Sequence, residues 1–170
     1  RAGDSDEGRW LWGGNLVVHE LVQQPDGTLA AKVPHEVAAH FAAPLPLTVE
    51  PQMGAWDVAE NTLSVNAVDA FAWCRLGVMP STCRLDATIT FTGETAAFGL
   101  VLRADANLDN YYQVRLEPSR QRLIFDRWPR PGDQPLMLER PLELQAGQPV
   151  RLQIFADDTI FEIYVDDKVA

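Results

Sequence analysis

The chain has 170 residues, 46% of them apolar, and a formal net charge of −10 at pH 7. That length suits one domain with a buried core and a small appendage. The acidic balance excludes nucleic acid and anionic membranes, whose binding takes clustered Lys and Arg, and no apolar run is long enough for a membrane helix.

Residues 1–8 are polar. Trp12-Gly13-Gly14 then leads into a strand candidate over 16–22, the turn Pro25-Asp26-Gly27, and a returning strand over 28–34. One hairpin is marginal alone in water, so this one is expected to pack on something else. A single helical turn is predicted over 36–41. Ala42-Ala43-Pro44-Leu45-Pro46 follows as extended linker, because each Pro biases its predecessor away from helix. Beyond it the signals are nearly all strand, at 47–49, 62–65, 70–75, 84–92, 97–104, 111–117, 122–126, 136–138, 150–155 and 160–165. Turn residues such as Gly93-Glu94, Pro118-Ser119 and Ala146-Gly147 divide them. Many short strands without long helical patterns predict an all-β, antiparallel two-sheet sandwich.

The clearest hairpins lie in the second half. Tyr112, Val114 and Leu116 alternate with polar residues, and Leu123 and Phe125 do so after the turn. Near the end, Val150, Leu152 and Ile154 alternate with Arg151, Gln153 and Phe155. After the corner Asp157-Asp158-Thr159, Phe161, Ile163 and Val165 face one way and Glu162 and Tyr164 the other. Asp157 and Thr159 suit the corner because their side chains bond nearby backbone N–H groups.

Asp157-x-Thr159-x-x-Glu162-Ile163-Tyr164-Val165-Asp166 resembles a segment near the end of glycoside hydrolase family 32, the invertases, inulinases, levanases and other β-fructosidases. Trp12-Gly13-Gly14, Glu20-Leu21, Asp26-Gly27-x-Leu29 and Val33-Pro34-His35-Glu36 are similar in order and spacing to the end of that family's propeller. Val18-His19 stands where Pro-Arg is usual. The resemblance implies a five-bladed catalytic β-propeller followed by a concanavalin A-like, lectin-type sandwich. Residues 1–35 would be the last propeller strands, 36–46 the linker, and 47–170 the sandwich, cut at its last strand. Trp12, Gly14, Asp157, Thr159, Glu162 and Tyr164 would serve as structural motif residues. The partners implied are the propeller itself and a fructan or other glycan, with self-association a further candidate. No cofactor is expected.

Retaining glycosidases need two carboxylates about 5 Å apart. The resemblance places them in Asn-Asp-Pro-Asn-Gly and Glu-Cys motifs, with a further Asp in Arg-Asp-Pro, and none of these occurs here. Cys74 follows Trp73, Cys83 follows Thr82, and Arg103 is followed by Ala104-Asp105. No catalytic residue is assigned. Glu162 is expected to pair with an arginine such as Arg151. Asp105-x-Asn107-x-Asp109 has the start of a calcium-loop spacing but lacks the later Gly and Glu, so an Asx turn is the expectation. His19, His35 and His40 show no zinc spacing, and no metal is assigned. Cys74 and Cys83 offer either a small closed loop or two partly buried thiols, the latter being the expectation. Trp56, Trp73, Tyr111, Tyr112, Trp128 and Tyr164 suit a core or domain interface. The candidate ligand-binding residues are Trp128, at a loop edge beside Pro129-Arg130-Pro131-Gly132, with Tyr111, Asp105, Asn107 and Asp109.

Overall fold

The computed structural model describes residues 17–67, 70–130, 132 and 138–170. Trp12 and Gly14 lie outside these residues. The first described element is a hairpin, β1 (Glu20–Gln23) and β2 (Leu29–Lys32). Its turn forms as the sequence suggests. The Asp26 carboxylate accepts from the Thr28 backbone N–H at 3.0 Å and the Thr28 hydroxyl at 2.7 Å, while Gly27 takes φ of 87°. A single helical turn, α1 (His35–Ala39), follows.

Two small ribbons come next. β3 (Glu50–Met53) pairs with β6 (Trp73–Arg75), and β4 (Trp56–Ala59) pairs with β5 (Thr62–Val65). The strand expected at 47–49 does not form. Its ladder partner, β6, first engages at Glu50, so pairing starts three residues later. The expected strand at 70–75 likewise shrinks to β6. β4 had not been anticipated, although Trp56 and Val58 alternate with Asp57 there.

The remaining strands build two four-stranded antiparallel sheets. The first contains β8 (Phe98–Leu102), β9 (Tyr111–Glu117), β10 (Arg122–Trp128) and β11 (Leu138–Pro141), in the order β11-β10-β9-β8. The second contains β7 (Thr82–Ile89), β12 (Val150–Asp157), β13 (Ile160–Val165) and β14 (Lys168–Val169), in the order β14-β13-β12-β7. Of the strand expected at 136–138, residues 136 and 137 lie outside the described residues, and Leu138 opens β11.

Period-two alternation sends Val114, Leu116 and Leu123 from the first sheet against Leu152, Ile154, Ile163 and Val165 from the second. Val114, Leu116, Leu123, Leu152 and Ile154 are completely buried. Each such side chain contributes roughly 1.5–3 kcal/mol of hydrophobic stabilisation. Tyr112, Phe125 and Phe161 close one end of this core, with ring centroids 5.4–5.9 Å apart. The expected sandwich core is therefore the observed one.

The outer faces are covered differently. On the first sheet, Arg115, Glu117, Arg122 and Glu139 form a cross-strand chain of ion pairs. On the second, Phe155 and Tyr164 are buried although they point away from the core. The segment from His19 to Phe41 lies over them: Phe41 packs edge-on against Phe155 at 5.3 Å, and Phe155 meets Tyr164 at 5.7 Å. Arg84 lies over the Phe155 ring at 5.5 Å and donates to the Ala38 carbonyl.

Candidate functional site

Two regions concentrate the residues singled out from the sequence. The first is the packed outer face of the second sheet. Pairing Gln153 with Tyr164 and Phe155 with Glu162 sets the row that meets the N-terminal segment. Glu162 Oε1 lies 2.9 Å from His19 Nε2, and its Oε2 accepts from the Tyr164 hydroxyl at 3.3 Å. Burial, followed by the neighbouring Glu162 charge, pushes the Tyr164 phenol up from its ordinary value.

The expected Glu162–Arg151 pair does not form. Arg151 Nη1 instead binds Asp167 at 2.8 Å, and its backbone N–H donates to Asp166 at 2.9 Å. The reason is the turn after β13: Asp166 and Asp167 both take positive φ, 48° and 62°, which folds their carboxylates back onto β12. The turn between β12 and β13 also differs in detail. The Asp157 carboxylate accepts from the Thr82 hydroxyl at 2.9 Å on the adjacent strand rather than from backbone within its own corner, and Thr159 is exposed at the tip.

The second region is an open cleft of about 270 Å³ at one end of the sandwich. Arg103, Asn110, Tyr111, Tyr112, Arg127 and Trp128 line it. The strand register explains their meeting. Trp128 pairs with Tyr111 and Arg127 with Tyr112, while Leu102, just before Arg103, also pairs with Tyr112. Trp128 is 49% exposed. The predicted Trp128 and Tyr111 are thus brought together. Arg103 and Arg127 were not anticipated, because an arginine in an alternating strand reads as an ordinary polar position.

Asp105, Asn107 and Asp109 do not line the cleft. Asp105 accepts from the Asp109 backbone N–H and the Asn110 side chain, each at 2.8 Å, so it closes its own corner. The Asn110 hydrogen bond is the main reason its carboxyl lies below its ordinary value. The expected Asx turn is present, and among the described residues no three His, Cys, Asp or Glu side chains converge as a metal site.

The most enclosed carboxylates are held by cations. Asp126, 3% exposed, accepts from Arg130 Nη2 at 2.8 Å. Glu117 accepts from Arg122 Nε at 2.7 Å and Arg115 Nε at 2.9 Å. Burial pushes the Glu117 carboxyl up, but the hydrogen bonds and charges of Arg122 and Arg115 outweigh it and leave the group below its ordinary value. That is the opposite of what a general acid requires. Cys74 and Cys83 are free and half-buried, and burial raises both thiols; the charge of Arg103 opposes this at Cys83.

Two packed antiparallel sheets, enclosed carboxylates tied to cations, and an aromatic-edged cleft define a lectin-type β-sandwich. Residues 54–170 match the family described as glycosyl hydrolases family 32 C terminal, and the chain belongs to that family. Its fold is similar to that of carbohydrate binding module CBM66 from Bacillus subtilis, with a TM-score of 0.60 and 18% identity, covering 72% of this chain and 76% of that one. It is also similar to exo-inulinase from Aspergillus awamori, with a TM-score of 0.56 and 19% identity, covering 88% of this chain. The match spans 27% of the exo-inulinase chain. No curated protein sequence matches the chain.

Proposed function

We propose that this chain is the C-terminal, non-catalytic part of a retaining enzyme that hydrolyses or transfers β-fructofuranosyl residues of sucrose or fructans. Residues 1–35 are the end of its propeller, 36–46 the linker and 47–170 the sandwich. The sandwich stiffens the propeller by gripping its last hairpin. The observation that carries this reading is the buried outer face of the second sheet, where His19 and Phe41 meet Glu162, Tyr164 and Phe155. A free-standing binding module needs no such covered face. The likeness to exo-inulinase, which takes in most of this chain including more than the sandwich, supports the same assignment.

A second reading, a lectin-like binding module, is favoured by the open cleft beside Trp128. The two are separated by the coding sequence upstream of Arg1. A propeller carrying the nucleophile, the transition-state Asp and the acid/base motif supports the enzyme, and its absence supports the module. In activity terms, the extended protein is expected to release fructose from sucrose, inulin or levan. No release from any of them overturns the enzymatic reading.

A further inference from the structure

The cleft at the sandwich end differs in its electrostatics from most of the described surface. The net charge is −10, and most arginines are matched to nearby carboxylates. Among the ten described arginines, Arg75, Arg84, Arg115, Arg120, Arg122, Arg130 and Arg151 each have one within ion-pair distance. Arg103, Arg127 and Arg140 are the three without one among the described residues, and two of these share this cleft.

Arg127 stands on the core-facing row of β10, paired with Tyr112, and its Nε is shielded from solvent with no hydrogen-bond partner among the described residues. A buried guanidinium N–H left unpaired is costly, and an incoming acceptor relieves that cost. Arg103 is fixed beside it: one Nη2 donates to the Ser81 carbonyl at 2.8 Å, and its guanidinium lies 4.8 Å from the Phe161 ring centre. Its remaining donors meet no carboxylate among the described residues. The adjacent acids are already engaged, Asp126 by Arg130 and Asp105 by Asn110. Among the described residues the cleft therefore offers charged donors without a matching anion. Its edge adds the half-exposed indole of Trp128 and the phenol of Tyr111. Guanidinium donors suit a carboxylate, and an exposed indole suits the apolar face of a sugar ring.

We propose that this cleft binds a carboxylate-bearing sugar, the carboxylate on Arg127 and Arg103 and the ring against Trp128. This ligand class is independent of the fructosyl chemistry proposed for the parent. A neutral fructan lacks the anion that the two guanidinium groups call for.

The test is isothermal titration of the chain with oligogalacturonate and, separately, with inulin-type oligosaccharide of the same length. Oligogalacturonate is expected to bind more tightly and to weaken as salt is raised. Arg127→Gln and Trp128→Ala should each weaken it about tenfold or more, the scale of a charged hydrogen bond or a stacked ring. Arg140→Gln, at an arginine without a carboxylate partner outside the cleft, should leave it unchanged. Trp128 is exposed, so its variant tests the site even if Arg127→Gln folds poorly. Absence of oligogalacturonate binding, equal binding of the neutral oligosaccharide, or full affinity in a folded Arg127→Gln or Trp128→Ala protein overturns the proposal.

Discussion

His19 Nε2 lies 2.9 Å from Glu162 Oε1, joining a residue just before the first strand to the middle of β13. The side chains are 30% and 16% exposed, so the pair is partly shielded from water. It acts with the Phe41–Phe155 contact to hold the N-terminal hairpin on the sandwich.

Glu162→Ala is expected to destabilise the chain by about 1 kcal/mol, the scale of a partly exposed pair. The distinguishing readout is local. Amide hydrogen exchange at Leu21 and Val22 in β1 should accelerate, while Leu116 and Leu123 in the core keep their protection. Unchanged exchange in β1 would mean that the hairpin is held without this contact.

Glu117 sets an acid-side limit on stability. Its carboxyl is depressed below the ordinary 4.5 in the folded chain. Such a group contributes stability that is complete above its unfolded value and is lost as pH falls through the folded one. Glu117→Gln should therefore lower stability near neutrality and flatten the decline on acidification below about pH 4.5. Denaturant midpoints measured across that range check it. Parallel pH curves for the two proteins would contradict the assignment.

Gln121 ties the turn after β9 to the strand-free segment near Leu144. Its side-chain amide donates to the Pro118 and Leu144 carbonyls at 2.8 and 2.9 Å and accepts from the Leu144 N–H at 2.9 Å. It does so from a left-handed backbone conformation, φ 49°. Gln121→Ala should cost about 2–3 kcal/mol, since Leu144 would lose partners for both backbone groups. A loss below half a unit, or about 0.5 kcal/mol, on equilibrium unfolding would show that water replaces the amide.

Gly99 is required by a close approach. A Cβ there would overlap the Val114 carbonyl oxygen on the neighbouring strand. Gly99→Ala is expected to destabilise the first sheet by about 1–3 kcal/mol through backbone displacement. Thermal melting checks this, and an unchanged or raised Tm would contradict it.

Much of the fold was legible because the apolar rows at Val114, Leu116, Leu123, Leu152 and Ile154 keep a strict period of two, and burial on one face specifies that register. The strands 62–65, 111–117 and 160–165 form with the expected bounds. The short ribbons were less legible. β3 contains Pro51 and a register irregularity, so local alternation carries little signal there. The cleft was only half legible. Trp128 and Tyr111 stand out by residue type, whereas Arg103 and Arg127 gain meaning only when three strands place them at one sheet end. The partner of Glu162 was missed because His19 is 143 positions away in sequence and reaches it through tertiary packing alone.

The most direct test of the non-catalytic role is fructose release from sucrose, inulin and levan, measured for this chain and for the same chain joined to the protein sequence encoded upstream. The prediction is no release above a buffer blank from the chain alone and sustained release from the extended protein. Sustained release by the chain alone would contradict it.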